Sequence, residues 1–236
     1  MEEKLFGIRV YLDGINKIIP LIEERKDKVH IISGNAEVFK YPLSDKETFK
    51  KFEDERNIII PDGVSVYLPI KKRKKQAIER LTGIDLMQEL LNHYSSTGEN
   101  VYFLGAKEDV LLKMISNVKE SYPDLGIAGY HHGYIDINNC SDVIDDIKKT
   151  SPKAIFVAMG TPVQEEFIFK YIDELPCMLY MGVGGSFDVM SGCISRCPAW
   201  ISKIGMEWLY RMIKDPSKIK RLWNNLYFTV KGLILG

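Results

Sequence analysis

The chain has 236 residues, a length that suits one α/β domain or a domain with an appendage. Its composition is 45% hydrophobic, which excludes a disordered chain, and its formal net charge is zero. Residues 200–236 contain seven Lys or Arg and two acids, so this tail carries +5 and the preceding residues carry −5. A basic tail on an acidic body favours an anionic ligand or surface at that end.

Four cysteines stand at positions 140, 177, 193 and 197, with no Cys-x-x-Cys motif and no Cys/His ligand spacing. We therefore expect free thiols in a reducing cytosol. The first residues, Met-Glu-Glu-Lys, lack the basic start and apolar core of a signal peptide. No window reaches the roughly 18 uninterrupted apolar residues of a membrane-spanning helix. These features predict a cytoplasmic protein that is soluble or bound at a membrane surface.

The first quarter of the chain predicts three short apolar strands. They cover Leu5–Leu12, Val29–Ser33 and Asn57–Ile60, with a helix over residues 16–26 between the first two. The second strand ends in the polar turn Ser33-Gly34-Asn35. Polar turns after buried strands often hold catalytic groups, which makes this turn a candidate site.

The tripeptide Pro61-Asp62-Gly63 directly follows the third strand. A carboxylate fixed there by Pro and Gly suits a general base, although a turn or N-cap Asp is the commoner use of such a tripeptide. The basic run at residues 71–75 has no interleaved aromatic residue. We therefore expect a solvated segment and no nucleic-acid binding.

Strands and helices continue to alternate through the second half of the chain. The predicted strands are Asn100–Gly105, Leu125–Tyr130, Lys153–Met159 and Met178–Met181, and the predicted helices include Leu86–Tyr94, Ser141–Thr150 and a helix that ends near Ser121. Gly160–Glu165 opens a further helix, where free N–H groups favour an anion. The glycine-rich turn Gly182–Asp188 lets a ligand approach the backbone, because no Cβ is in the way. A plain helix start and a plain turn are the simpler alternatives.

This alternation predicts an α/β, Rossmann-like, mostly parallel sheet with helices on both faces. Ligands of such sheets bind beyond the carboxyl ends of the strands. Five turns follow strands at that edge: Ser33–Asn35, Asp62, Gly105, Gly160–Glu165 and Gly182–Asp188. We therefore expect them to converge on one cleft. A metal site at the adjacent His131 and His132 is not expected, since no carboxylate lies at ligand spacing.

Residues 198–236 are predicted to form a helical, basic and amphipathic appendage to an α/β core of residues 1–197. A first helix would cover residues 200–213, and a second would begin at Ser217. The second helix places apolar residues on one stripe, namely Ile219, Leu222, Trp223, Leu226, Val230, Leu233 and Ile234. Such a stripe with Lys and Arg beside it fits a helix in a membrane interface, although packing on its own domain or on a partner fits the shape equally.

Six motifs stand in order along the chain: Pro61-Asp-Gly63, Arg80 with Gly83 and Asp85, Gly160-x-Pro-x-Gln-Glu165, Gly182-Val-Gly-x-x-Phe-Asp188, Arg196-x-Pro-x-Trp200 and Glu207-Trp-Leu-Tyr-Arg211. Together they resemble the WecG/TagA/CpsF glycosyltransferases, family 26 of the inverting enzymes, over nearly the whole chain. The resemblance implies a bacterial enzyme that transfers N-acetylmannosamine, or its uronic acid, from a UDP donor to undecaprenyl-diphosphate-linked N-acetylglucosamine. The product would feed teichoic acid or a related surface polymer, at the inner face of the cytoplasmic membrane.

The resemblance also implies roles for single residues. Asp62 would be the general base that takes the proton of the acceptor hydroxyl as its oxygen attacks the anomeric carbon and inverts it. Ser33 and Asn35 would lie near the sugar, with Ser33 where the family carries Thr. The other substrate-binding positions would be Arg80, Gln164, Glu165, Tyr134, Gly182, Gly184, Gly185 and Asp188, with Tyr134 and Asp188 around the uridine.

In the appendage, the resemblance places Arg211, Lys218 and Arg221 at basic positions that would meet the lipid diphosphate, and Trp223 would contact the membrane. Lys218 stands where Arg is usual, and Arg is the better bidentate clamp for phosphate. No Asp-x-Asp motif is present to hold a metal between phosphates. We therefore expect no cofactor and a metal-independent enzyme, in which Arg side chains and helix N-termini offset the charge of UDP.

Two alternatives stay open. The same chemistry could use another UDP-sugar, such as UDP-glucose or the N-acetylmannosamine uronate. The chain could instead be a non-catalytic nucleotide-sugar-binding protein that docks a partner through its tail. A dinucleotide site is disfavoured, because no G-x-G-x-x-G opens a helix with an acidic residue about 20 positions further on. The sequence leaves the oligomeric state open, a homo-oligomer included.

Overall fold

The computed structural model describes residues 1–74, 78–195 and 219–235. The strands are β1 Glu2–Leu5, β2 Ile8–Tyr11, β3 Val29–Ser33, β4 Asn57–Ile60, β5 Asn100–Gly105, β6 Gly126–His131, β7 Ala154–Ala158 and β8 Leu179–Gly182. The helices are α1 Ile15–Glu24, α2 Ala36–Ser44, α3 Lys46–Phe52, α4 Val64–Arg73, α5 Gly83–Thr97, α6 Glu108–Ser121, α7 Ser141–Thr150, α8 Val163–Tyr171, α9 Ser186–Met190 and Ile219–Leu235, which we name α10.

The main sheet has six strands in the order β4-β3-β8-β7-β5-β6. The pairs β3-β8, β8-β7, β7-β5 and β5-β6 are all parallel. Parallel neighbours need crossover connections, and helices supply these crossovers here. The predicted α/β, Rossmann-like class is therefore confirmed.

The N-terminal strand prediction was wrong in one respect. Leu5–Leu12 is not one strand, because residues 2–11 form the antiparallel hairpin β1-β2. Phe6 and Gly7 make the turn between its strands, and both have positive φ, at 53° and 86°. Two consecutive residues with positive φ are typical of the tight hairpin turn that matches strand twist. An aromatic residue such as Phe6 is unusual in the first of these positions. Because Phe6 lies in an apolar segment, the sequence pattern indicated a continuous strand there and not a turn.

The chain folds into two compact units. The first contains residues 1–17, 33–82 and 195–236, and the second contains residues 18–32 and 83–194. The second unit has apolar packing on both faces of its strands. Alternate residues of β5 point to opposite sides, so that Tyr102 packs with helices α7 and α8. Phe103 faces the other way, against Phe156 and against Phe187 of α9, with ring centroids 5.8 Å apart in each pair.

In the first unit, α10 packs along α4 and α2. Phe228 is buried and meets Phe6 of the hairpin turn edge to face, with ring centroids 5.9 Å apart. Gly232 lies so close to α4 that a Cβ added to it would come within 2.7 Å of Pro69 Cγ. The opposite side of α10 exposes Leu226, Tyr227, Val230 and Ile234.

Among the described residues, no helix combines the length and the apolar character needed to cross a membrane. The predicted boundary between residues 197 and 198 and the predicted helix over residues 200–213 lie outside the described residues. The second predicted tail helix is α10.

Candidate active site

The predicted base, Asp62, follows β4 in a turn whose backbone is held on each side. Its own N–H donates to the carbonyl of Ile60 over 2.9 Å, and its carbonyl accepts a 2.6 Å hydrogen bond from Arg80 Nε. The next N–H, that of Gly63, donates to the carbonyl of Gly34 over 2.8 Å. The half-buried Asp62 is therefore set on a fixed stretch of backbone in the first unit, beside the Ser33–Asn35 turn.

Asn35 begins helix α2 as its N-cap. Its side-chain carbonyl accepts from the N–H groups of Glu37 and Val38 at 3.0 and 3.2 Å, and its amide donates to the carbonyl of Ser33 at 3.1 Å. An Asn in this position satisfies N–H groups that the helix itself cannot. Asn35 therefore has a structural task here, while its predicted contact with the sugar stays a prediction.

Gly63 must be small because the two turns touch at this point. A Cβ added to Gly63 would lie 2.6 Å from Asn35 Cβ, a separation that packed carbon atoms do not tolerate. Ser65, two residues further on in α4, is 1% exposed, and its hydroxyl has no hydrogen-bond partner among the described residues. One cluster of the first unit therefore contains Asp62, Asn35 and Arg80, which the sequence analysis identified as candidates in separate motifs.

A second cluster joins the turns after β7 and β8 in the second unit. Gln164, on the first turn of α8, accepts a 3.0 Å hydrogen bond from the backbone N–H of Gly184. The amide of Gln164 donates over 2.8 Å to Glu165 Oε1, which also accepts from the hydroxyl of Thr161 at 3.3 Å. A continuous hydrogen-bonded chain therefore runs from Thr161 to the glycine turn.

Glu165 is a buried acid, with only 1% of its surface exposed. Burial raises the pKa of its carboxyl above the ordinary range, although the hydrogen bond from Gln164 opposes this. The second carboxyl oxygen, Oε2, is buried and has no hydrogen-bond partner among the described residues. The structure thus places Glu165 beneath the turn, with its side chain shielded from solvent.

The three predicted glycines serve different ends. A Cβ on Gly182 would lie 2.6 Å from Gln164 Nε2, so this glycine makes room for Gln164. Gly184 has φ of 50°, a left-handed conformation that side chains disfavour. Gly185 has an ordinary φ of −82°, and the atom nearest to an added Cβ is Asp188 Oδ2 at 3.7 Å. Only Gly182 and Gly184 therefore have a local reason to be glycine.

Tyr134 and Asp188, the residues predicted around a uridine, also lie in the second unit. Tyr134 is 70% exposed on the loop after β6. Gly133 ties that loop to the turn after β5, since its N–H donates to the carbonyl of Ala106 over 2.9 Å. Asp188 is half-buried in α9, and its backbone carbonyl accepts a hydrogen bond from Ser191 Oγ at 2.9 Å. The exposed aromatic ring of Tyr134 suits stacking on a base, and the half-buried carboxylate of Asp188 suits a hydrogen bond from a ribose or uracil edge.

The predicted tail residues divide by position. Arg211 and Lys218 lie outside the described residues. Arg221 and Trp223 lie in α10, of which the backbone is described at those positions. Their predicted contacts with a diphosphate and a membrane stay predictions. Among the described residues, no three His, Cys, Asp or Glu side chains form a group that could hold a metal ion.

Thr161 is a member of the second cluster that the sequence analysis missed. A signal for it exists, because Thr161-Pro-Val-Gln164 matches the Ser/Thr-x-x-Glu/Gln pattern of a capping box. The structure uses the pattern differently, since Pro162 is the N-cap and makes no side-chain cap. Gln164 reaches Gly184 instead, and Thr161 bonds to Glu165.

The two clusters offer complementary chemistry. The first presents a carboxylate on a fixed backbone next to Arg80, an arrangement that can accept a proton. The second presents a glycine turn with an exposed tyrosine and an aspartate in the same unit, which can bind a nucleotide and its phosphates. That both clusters face one cleft stays a prediction.

Comparison with known proteins agrees with this chemistry. The model of the family described as "Glycosyl transferase WecG/TagA/CpsF family" matches residues 4–235. A protein of Bacillus subtilis named N-acetylglucosaminyldiphosphoundecaprenol N-acetyl-beta-D-mannosaminyltransferase is 34% identical over 188 residues, which cover 80% of this chain and 72% of that protein. A Staphylococcus aureus protein of the same name is 32% identical over 196 residues, covering 83% of this chain and 76% of its own length.

Proposed function

We propose that this chain, which belongs to the WecG/TagA/CpsF family of glycosyltransferases, transfers N-acetylmannosamine from UDP-N-acetylmannosamine to undecaprenyl-diphosphate-linked N-acetylglucosamine. The relatives in Bacillus and Staphylococcus carry names for this mannosaminyl transfer, and the glycine turn and Tyr134 suit a nucleotide-linked donor. The product would be a lipid-linked disaccharide for teichoic acid or a related surface polymer.

The observation that carries the proposal is the fixed position of Asp62 beside Arg80. In the reaction, the acceptor hydroxyl oxygen attacks the anomeric carbon as the bond from that carbon to the UDP phosphate breaks. The hydroxyl proton passes to the Asp62 carboxylate, and UDP leaves with the bonding electron pair. Attack from the face opposite the leaving group inverts the anomeric configuration, so an α-linked donor gives a β-linked product.

The charge that develops on UDP needs cationic or N–H partners in the transition state. We assign this task to Arg211, Lys218 and Arg221 of the tail and to helix N-termini, without a metal ion. Arg80 is engaged with the backbone of Asp62, so we assign it to the shape of the base turn.

We place the enzyme at the inner face of the cytoplasmic membrane, attached peripherally. Its acceptor would be a membrane lipid, and α10 exposes Leu226, Tyr227, Val230 and Ile234 on one side. Apolar side chains on an interfacial helix contribute to membrane binding in proportion to the area that they bury. Basic residues of the tail would add attraction to anionic lipids.

The experiment that tests the function is a transfer assay with the full chain. UDP-N-acetylmannosamine, its uronate and UDP-glucose are each incubated with a polyprenyl-diphosphate-N-acetylglucosamine acceptor, with and without a chelator of divalent metals. We expect a β-linked disaccharide lipid from UDP-N-acetylmannosamine only, at an unchanged rate with the chelator. Product from another donor alone would correct the sugar, and tight UDP-sugar binding without any product would support a binding protein instead.

A further inference from the structure

Glu165 is a buried acid that forms no ion pair with any described residue. The charge that affects the pKa of its carboxyl is that of the acidic Glu166, the next residue in the helix. An ionised carboxylate in such surroundings is costly, because neither water nor a cation offsets its charge. The proposed chemistry, with its base at Asp62, gives Glu165 no part in proton transfer.

The hydrogen bonds of Glu165 are consistent with a neutral acceptor. Oε1 accepts from Gln164 Nε2 at 2.8 Å and from Thr161 Oγ1 at 3.3 Å, while Oε2 is shielded and has no partner. In a protonated carboxyl, Oε1 is the carbonyl oxygen and accepts both bonds, and Oε2 carries the proton. The Oε2 hydroxyl then has no acceptor among the described residues, but an unpaired neutral hydroxyl costs less free energy when buried than an unpaired negative charge does.

The carboxyl oxygen decides which way round the amide of Gln164 is held. Because Oε1 accepts, the NH₂ group of Gln164 must face Glu165, and its carbonyl then faces the N–H of Gly184 at 3.0 Å. In the reversed orientation the amide would point its NH₂ group at the N–H of Gly184, and its carbonyl at Oε1. The N–H of Gly184 would then face a second donor, and the carbonyl of Gln164 would find a donor only if the carboxyl proton moved from Oε2 to Oε1.

Gly182 fits the same arrangement. A Cβ at this residue would collide with Gln164 Nε2 at 2.6 Å, so the glycine leaves the space that the amide occupies. Gln164 and Glu165 are both almost fully buried, at 3% and 1% exposure, so the pair is built into the fold beneath the turn.

We propose that Glu165 is a positioning residue of the donor site, which acts as a neutral acid, orients the Gln164 amide and thereby fixes the Gly184 N–H and the turn of residues 182–185. The part of this inference that concerns the donor rests on the proposed function. The part that concerns the turn does not. Burial of the carboxyl, which raises its pKa, agrees with the neutral form.

The direct test is amide hydrogen exchange at Gly184 in the full chain, measured by NMR without any substrate. Glu165→Ala should raise the exchange rate of this amide about tenfold or more, which corresponds to the net free energy of one hydrogen bond. Glu165→Gln keeps the acceptor oxygen and should stay within about threefold of the wild type. Glu166→Ala, in the same helical turn, is the matched control and should leave the rate unchanged.

A second variant guards against loss of folding in Glu165→Ala. Gln164→Leu removes the acceptor of the Gly184 bond and should raise exchange at Gly184 as much as Glu165→Ala does. In the double variant the two effects should not add, because both remove the same bond. Unchanged exchange at Gly184 in Glu165→Ala, or full additivity in the double variant, would overturn the positioning role.

Transfer kinetics then test the neutral form and the link to the donor. Glu165→Ala should lower kcat/KM about tenfold or more, while Glu165→Gln should keep it within about fivefold and keep the same pH profile. A Glu165→Gln variant as slow as Glu165→Ala would overturn the neutral acid. A wild type that transfers no sugar would contradict the proposed function alone, since the exchange measurement needs no activity.

Discussion

At the scale of single residues, Asp62 and Glu165 show how position divides two acids. Asp62 lies half-buried on a turn whose backbone accepts a hydrogen bond from Arg80, a position that suits a proton acceptor. Glu165 is buried, and burial raises the pKa of its carboxyl. Both residues are acids in motifs that precede or begin a helix, so residue type and motif alone do not distinguish a catalytic base from a positioning residue. Their surroundings do.

The variant Asp62→Asn tests the base. It keeps the size of the side chain and removes its ability to take a proton, so we expect kcat to fall by about 10² to 10⁴, the usual contribution of a general base. Binding of the UDP-sugar, measured by calorimetry, should change less than about twofold, because the loss lies in the chemical step. Asp27→Asn, at an exposed position, is the control. Undiminished turnover in Asp62→Asn would remove Asp62 from this role.

The pH dependence of stability tests the state of Glu165. Its pKa is raised in the folded state, so the folded protein keeps the proton to a higher pH than the unfolded chain, whose Glu titrates near pH 4.3. Stability therefore falls as pH rises from about 4 through the folded pKa. Glu165→Gln removes this titration. The Tm of this variant should therefore rise relative to the Tm of the wild type as the pH increases over the same window.

The control for this measurement is Glu166→Ala, because Glu166 is the neighbouring charge that also raises the pKa of Glu165. In Glu166→Ala, the pH dependence of stability that Glu165 causes should become slightly smaller and should remain measurable. A Tm difference between Glu165→Gln and wild type that stays constant from pH 4 to pH 8 would show that Glu165 titrates in the folded protein as it does in the unfolded chain.

At the scale of elements, the glycine turn after β8 shows that similar glycines have different causes. Gly182 makes space for a side chain, Gly184 supplies a left-handed φ of 50°, and Gly185 needs neither. A glycine-rich stretch after a strand suggests a ligand site because the backbone is accessible. Here part of the glycine content instead serves the Gln164 contact beneath the turn.

The pair Gly182→Ala and Gly185→Ala tests this distinction by thermal unfolding. The new Cβ at residue 182 would lie 2.6 Å from Gln164 Nε2, so Gln164 must move and lose its bond to Gly184. We expect Gly182→Ala to destabilise the fold by about 1–3 kcal/mol and to lower kcat/KM. Gly185→Ala meets its nearest atom only at 3.7 Å and should keep Tm within about 2 °C. Equal Tm values would show that the turn adapts to a Cβ at residue 182.

Helix α10 has one side that packs within the first unit and an opposite side of exposed apolar residues. Phe228 and Gly232 pack against the hairpin turn and α4, as the alternative of a helix on its own domain requires. Leu226, Tyr227, Val230 and Ile234 stay exposed, as the membrane hypothesis requires. The apolar stripe drawn from the sequence held Leu226, Val230 and Ile234 but not Phe228, so it described the exposed side and missed the residue that anchors the helix.

At the scale of the whole molecule, the exposed apolar side of α10 predicts binding to a membrane surface. Replacing Leu226, Val230 and Ile234 together by Gln should lower binding to anionic vesicles about tenfold or more, since each loses part of the roughly 1.5–3 kcal/mol that full burial provides. The measurement is vesicle co-sedimentation. Tm should stay within about 2 °C, because these side chains are exposed.

The control for the vesicle experiment is Phe228→Ala. Phe228 is buried against Phe6, so this variant should lower Tm while the exposed stripe remains. Binding of the triple Gln variant as tight as that of the wild type would assign the membrane contact to another surface. High salt should weaken binding of the wild type if the basic tail contributes.

The class of fold, the enzyme family and most strands of the main sheet could be predicted from the amino-acid sequence alone. Alternating strands and helices predicted the parallel α/β sheet, and the bounds of Val29–Ser33, Asn57–Ile60 and Asn100–Gly105 agree with the structure, because short apolar runs between turn residues have few other solutions. The six ordered motifs indicated a glycosyltransferase, and the match of the family model to residues 4–235 confirms it.

The contacts between residues of different motifs could be read only from the folded structure. The bond from Arg80 to the backbone of Asp62 joins residues 18 positions apart, and the bond from the Gly184 N–H to Gln164 joins residues 20 positions apart. The Phe6-Gly7 turn escaped prediction because propensity favours a strand for that apolar run, while the hairpin register and the packing of Phe6 on Phe228 set its conformation. Local patterns determine elements, whereas burial and hydrogen-bond partners come from residues that meet only when the chain has folded.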